Sequence, residues 1–315
     1  MKRTSMVLAA TVAAGLLSAG TASASGWTMS YLRPPGGDAI RVVATDGAGS
    51  YAGHSNRGLL TWSGWMVRNH GFPAGYDTVE AVDENTSRAI LANGYSISTR
   101  TDRSFVYQNG GFQLLETVPG YAQTVVTGMN NRGDIVGEVF NDPRYGSWAA
   151  FWPADDRAHP VLLDSAPLLG PVDIDHDGTI LMQEQGGGAW LWKDGVARQL
   201  VLPEGVREAR AIAIRDGKVL ADLQGGQRLW TAHDTSIPVP ETMTVTALNG
   251  SGLLTGCLRT MGTDTIPAAW TPGGPVETLP APSSACGAIV GDNGEVMGTL
   301  QDDDYYDKLV VWRRG

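Results

Sequence analysis

Beyond the first two dozen residues, apolar positions come in short runs rich in β-branched and aromatic side chains, such as Gln123-Thr124-Val125-Val126-Thr127, Thr244-Val245-Thr246 and Leu309-Val310-Val311-Trp312. Polar turns built from Gly, Asn and Asp separate them. No long stretch carries the 3.6-residue apolar period of an amphipathic helix, so the pattern predicts strands joined by tight turns. The 41 glycines and 17 prolines punctuate those strands.

The runs repeat. The clearest copy holds Gly128-Met129-Asn130-Asn131-Arg132-Gly133-Asp134-Ile135-Val136-Gly137, followed by Ala150-Phe151-Trp152. The turn residue and a small or apolar residue four places on recur as Gly49/Gly53, Ser87/Leu91, Gly133/Gly137, Gly178/Met182, Gly217/Ala221, Gly252/Gly256 and Gly294/Gly298. Strand-end aromatics keep step as Trp62, Tyr107, Trp152, Trp192, Trp230, Trp270 and Trp312. Successive turn residues lie 38, 46, 45, 39, 35 and 42 positions apart, the period of a four-stranded propeller blade. In the fourth copy the strands are expected at 171–174, 179–182, 189–192 and 197–201. The seventh copy stops after its third strand, while 26–32 forms a strand without a repeat of its own. The expectation is an all-β, seven-bladed β-propeller of four-stranded antiparallel blades, with this N-terminal strand completing blade seven and closing the ring.

At 128–152, 172–192 and 247–270 the repeat resembles that of the bacterial extracellular HAF-repeat family, which reads roughly Asp-Ile-Asn-x-x-Gly-x-Val-Val-Gly and then His-Ala-Phe-x-Trp. The first half stands here as Val172-Asp173-Ile174-Asp175-His176-Asp177-Gly178 and the second as Ala150-Phe151-Trp152. The chain departs from the family pattern in lacking the His of the triplet throughout, and its second repeat is degenerate. The resemblance implies an exported repeat protein and no particular activity.

Lys2-Arg3, an apolar stretch over 6–17 and Ala22-Ser23-Ala24 read as a secretory signal peptide over 1–24, leaving 25–315 as a single propeller domain that is secreted, extracellular and monomeric. The apolar stretch is too short to serve as a membrane span. Removing Lys2 and Arg3 takes the bases from 23 to 21 against 33 acids, a net charge of about −12. That balance argues against nucleic acid and anionic membrane surfaces as partners, since both reward basic patches, and no other segment approaches the length of apolar chain that membrane insertion needs. Cys257 and Cys286 are the two cysteines, 29 residues apart in adjacent repeats. In an oxidising compartment they are expected to pair, contributing roughly 3 kcal/mol by loop-closure entropy.

Candidate chemistry is sparse. Asp173, Asp175, Asp177, Gly178 and Glu184 match the spacing of a calcium loop. The segment is nevertheless in register with six strand-turn-strand copies, and a hairpin would carry Glu184 away from the loop, so the polar-turn reading is preferred over calcium and no cofactor is expected. No Gly-x-Ser-x-Gly elbow, His-Glu-x-x-His helix or phosphate-binding loop occurs, and the five histidines are scattered singly. Tryptophans at blade spacing belong to the core, whereas Trp27, Trp65 and Trp148 lie outside that register and are open to a surface role.

Strand order decides where to look. Turns joining strands one to two and three to four are short and uniform, and share one face of the disc. The opposite face carries connections that vary in length and chemistry: 71–76, 99–103, 141–146, 259–262 and 302–307. Variable loops on a rigid scaffold are the usual binding surface. The candidate ligand-binding residues are therefore Arg144, Tyr145, Asp302, Asp304, Tyr305 and Tyr306. The expected function is a secreted, non-enzymatic binding propeller for an extracellular glycan, peptide or protein, with a propeller glycoside hydrolase or polysaccharide lyase as the alternative. Two carboxylates beside an Arg or Tyr in the central channel would favour the enzyme.

Overall fold

The computed structural model describes residues 26–32, 40–64, 66–163, 169–259, 264–301 and 307–315. Seven four-stranded antiparallel sheets form a β-propeller, with one three-residue 3-10 turn as the helical content of the described residues. Blades one to six span 41–69, 78–114, 123–162, 169–199, 209–238 and 243–278 in simple sequential order. Blade seven is built from Ala285–Val290, Val296–Gln301, Asp307–Arg314 and, as its outermost strand, Trp27–Tyr31. The closing strand pairs Trp27 with Arg314 through Tyr31 with Val310. Leu32 N–H then donates to Leu309 O at 2.9 Å.

The core is divided among the blade interfaces. Seven apolar clusters occur, each joining two adjacent blades, including blade seven to blade one through Tyr51, Trp62, Met297 and Val311. The strand-end aromatics sit in one cross-strand row. Trp62 faces Tyr51, Trp152 faces Ile135, Trp230 faces Val219, Trp270 faces Leu254 and Trp312 faces Val296. Those five tryptophans are buried, whereas Trp192, in the same row opposite Ile180, is half-buried. Several indole N–H groups bond the connection leaving the preceding blade: Trp152 to Glu116 O at 2.8 Å, Trp230 to Val201 O at 3.1 Å and Trp312 to Pro280 O at 2.7 Å.

Two details correct the sequence alignment. In the second repeat the residue equivalent to the turn glycine is Arg88, with φ 61°, and the residue four on is Ala92, paired with Ala81 as Gly137 pairs with Val126. Ser87 and Leu91 are thus one place out of step, because an arginine here adopts the left-handed conformation that glycine adopts elsewhere. Arg88 Nε bonds Asp46 Oδ2 at 3.2 Å and helps hold that turn. The turn joining strands three and four of blade three is also long, filling 153–160 between its flanking strands. Arg157 folds back from it onto Gly133 O at 2.9 Å.

Every inner strand carries a β-bulge at the same place, between Val42 and Ala44, Ala81 and Asp83, Val126 and Gly128, Pro171 and Asp173, Ala211 and Ala213, Val245 and Ala247, and Gly287 and Ile289. An extra residue per inner strand bends the strand and sharpens its twist as the ring closes. Close approach at this level explains the repeated glycine: a Cβ on Gly137 would stand 2.5 Å from Val125 O. Cys257 and Cys286 form the disulfide joining blades six and seven, with α-carbons 4.8 Å apart.

Candidate functional site

On the uniform face, the turns between the first two strands are bonded to one another all the way round. Arg88 meets Asp46, and Thr86 N–H donates to Asn131 Oδ1 at 3.1 Å. Asn130 Nδ2 donates to Asp175 O at 3.1 Å, and the Asp175 carboxylate accepts from Asp216 N and Gly217 N at 2.9 and 2.6 Å. Lys218 Nζ reaches Gly250 O at 2.8 Å, Asn249 Nδ2 reaches Gly291 O at 2.9 Å, and Asn293 N donates to Gly47 O at 3.2 Å. Each of the seven blade interfaces is crossed, so this face is a polar belt.

Inside the belt the central channel opens as a funnel of about 500 Å³, lined by all seven inner strands. Asp83 and Asp173 occupy the same repeat position, directly after the bulge, where the other blades have Ala44, Gly128, Ala213, Ala247 and Ile289. Gly128 between them makes room, since a Cβ there would stand 3.0 Å from Asp173 Oδ1. Arg215 pairs with Asp173 Oδ2 and donates to Ile214 O at 2.7 Å. Two carboxylates and an arginine are thus brought into the channel. Burial pushes the Asp83 carboxyl up to about 6 against the pull of Arg215, with Asp173 adding to the rise. Burial also raises Asp173, opposed by Arg215, whose own pKa is raised by Asp173. Both carboxylates are engaged by backbone donors of their own and the next blade. Asp83 accepts from Glu84 N at 2.8 Å and Met129 N at 3.1 Å, and Asp173 from Ile174 N at 2.9 Å and Ile214 N at 3.0 Å. The trio therefore clasps blades two to three and four to five.

The calcium-spaced acids are dispersed. Asp173 turns to Arg215 and Asp175 to blade five, while Asp177 pairs with Lys193 and Glu184 accepts from Trp190 Nε1 at 3.1 Å. Among the described residues no group of three or more His, Cys, Asp or Glu is placed to hold a metal ion.

The variable face differs. Arg144 lies in the short 3-10 turn Pro143–Tyr145, fully at the surface, with its guanidinium on the Asp142 carboxylate at 2.5–3.1 Å. Those bonds hold the Asp142 carboxyl down at about 2. The Tyr145 side chain and Asp302, Asp304, Tyr305 and Tyr306 lie outside the described residues, as does Trp65. Thr101, Asp102 and Arg103, expected in a loop, open the third strand of blade two instead. Of the other tryptophans outside the repeat register, Trp27 is buried against blades six and seven and donates to Glu277 Oε2 at 2.6 Å. Trp148 is 41% exposed on the variable rim, its ring 5.4 Å from that of Tyr121. Tyr121 was missed at the sequence level because it lies in a connection outside the repeat and meets Trp148, at the start of a strand 27 residues on, only in the folded chain.

No family model matches the chain, and a search of curated proteins finds no sequence relative. Solved structures do resemble it in fold. Raptor of Chaetomium thermophilum aligns with a TM-score of 0.57 at 11% identity, over 92% of this chain and 29% of its own. YCF48 from Cyanidioschyzon merolae gives 0.56 at 9%, over 90% and 98%. An acylaminoacyl peptidase from Pyrococcus horikoshii gives 0.55 at 13%, over 84% and 50%. The chain spans under a third of Raptor and half of the peptidase. At these identities the likeness is one of fold, and a fold shared with a peptidase and with proteins not named as enzymes leaves activity to be argued from the site.

Proposed function

We propose that this protein is an exported propeller of the HAF-repeat kind, a non-enzymatic binding module that takes an extracellular glycan, peptide or protein on its variable face. The observation that carries this reading is the asymmetry of the disc. On the uniform face the turns bond one another across every blade interface, through side chains at six of them and through the backbone at the seventh. The opposite rim holds an exposed tryptophan, Trp148, and a surface loop whose Arg144 bonds Asp142 of the same loop. Export is supported by the signal-like residues 1–24 and by a disulfide, which persists in oxidising compartments. A glycan-array screen run with a hydrolysis screen tests the reading. Binding without turnover, weakened by variable-rim substitutions, is expected; binding lost only through uniform-turn substitutions would place the site on the other side.

The alternative, a glycoside hydrolase or polysaccharide lyase, has one observation in its favour, the Asp83, Asp173 and Arg215 trio in the funnel. Turnover of any glycan that is abolished by Asp83→Asn in a folded protein would establish it in place of the binding reading.

A further inference from the structure

We propose that Tyr121 and Trp148 form the stacking platform of a glycan subsite at the rim of blades two and three, for a neutral oligosaccharide of pyranose rings with equatorial hydroxyls. This rests on the reading that the variable face binds ligand, and it names the place and the chemistry.

Trp148 opens the third strand of blade three, while Tyr121 lies in the connection between blades two and three. Their rings stand 5.4 Å apart with planes inclined at 52°. The underside of Tyr121 packs on the cluster containing Val118, Val139 and Trp152.

The arrangement is rigid. Asn141 grips the backbone on both sides of Tyr121, its Oδ1 accepting from Ala122 N and its Nδ2 donating to Gly120 O, each at 2.9 Å. Gln123 Nε2 donates to Asn141 O at 2.9 Å, and Tyr121 N donates to Val118 O at 3.1 Å. Gly120, with φ 94°, supplies the backbone conformation that the bend needs. Loop order, amide clamp and ring position are thus fixed before any ligand arrives, which lowers the entropy cost of binding. An indole left partly in water at a rim, where it contributes little to the core, gains most when an apolar surface covers it.

The chemistry of that surface follows. A pyranose with equatorial hydroxyls shows a flat C–H face to an aromatic ring and its hydroxyls at the edge. Asp142 and Arg144, on the loop that begins at Asn141, supply charged hydrogen-bonding groups for such an edge. The net charge, about −12 once Lys2 and Arg3 are removed, disfavours an anionic polysaccharide.

The test is titration of the full exported protein with cellohexaose, xylohexaose, chitohexaose and, as the anionic control, hexagalacturonate, followed by tryptophan fluorescence and calorimetry. At least one neutral hexamer should bind and perturb the fluorescence, with hexagalacturonate weaker. Trp148→Ala and Tyr121→Ala should each weaken binding at least about tenfold, roughly 1.4 kcal/mol, with the melting temperature little changed for Trp148→Ala and a folded protein, by circular dichroism, for Tyr121→Ala. Trp148→Phe should recover most of the affinity, and Asn141→Ala should weaken binding by loosening Tyr121. Failure of all three neutral hexamers, or hexamer binding that Trp148→Ala and Tyr121→Ala leave intact, overturns the platform. In that event a peptide or protein partner sensitive to other variable-rim residues would preserve the broader reading, and a partner sensitive only to uniform-turn residues would remove both.

Discussion

The two faces of the disc are made from the same repeat and differ in what their side chains do. On the uniform face the side chains of Asn130, Asp175 and Asn249 bond from blade to blade, and each of these turns carries a positive-φ residue. On the variable face Asn141 also bridges two segments, yet what it positions is an aromatic ring at the rim and not another turn. Regular spacing thus marks the residues that close the ring, and departures from it mark side chains that ring closure does not call for. Among the described tryptophans Trp27 departs from the rule, irregular in sequence yet buried because it belongs to the closing strand, and Trp192 is in register yet only half-buried.

The comparison is most severely tested by removing the chain through Leu32. Trp27 is buried in the cluster between blades six and seven and Leu32 in that between blades seven and one. Their loss should cost about 5 kcal/mol and lower the melting temperature by about 10 °C or more. An unchanged melting curve would mean that the ring closes elsewhere.

Glu84 offers the next largest effect. It stands in the cross-strand row occupied by Met129, Ile174, Ile214, Leu248 and Val290, is buried, accepts from Ser50 Oγ at 2.8 Å and leaves Oε2 without a partner. Burial pushes its carboxyl up from 4.5 to about 8. The folded state therefore holds a proton that the unfolded state releases above pH 4.5. Stability should fall as pH rises from there to about 8, by an amount on the order of 3–5 kcal/mol, and level off beyond. Glu84→Gln should reduce this slope in denaturant titrations, most clearly between about pH 6 and 8, above the range in which the raised Asp83 carboxyl also contributes; an identical slope in the variant would contradict the assignment.

Replacing both Cys257 and Cys286 by serine should cost roughly 3 kcal/mol without altering ligand binding. Asp175→Ala, which leaves three backbone donors without their acceptor, should cost about 2–3 kcal/mol. It too should spare binding, read by thermal melting beside a ligand titration. At the small end, Arg144→Ala should shift the melting temperature by no more than about a degree while weakening ligand affinity. A stability loss there, or an affinity loss with Asp175→Ala in folded protein, would erase the distinction between the faces.

Much of this was legible because a blade buries its faces only against neighbours, so the positions that pack must recur. Seven copies of a turn residue and a strand-end aromatic were enough for blade number, strand order and the closing strand, and the adjacent-blade cysteines pointed to their disulfide. The slip at Arg88 shows the limit. Glycine is the common solution for a left-handed turn residue but not an obligatory one, and a position defined by φ is invisible when another residue adopts it.

The candidate sites were read less fully. Arg144 could be placed on a variable loop, but the bond that engages it with Asp142 is a matter of geometry. Asp83, Asp173 and Arg215 lie in three blades, and Tyr121 and Trp148 in a connection and a strand. The sequence alone determined the ring, since every blade needs the same packing from its own residues. Tertiary structure alone decided which polar and aromatic side chains meet, because those contacts join residues of different strands and connections only once the ring has closed.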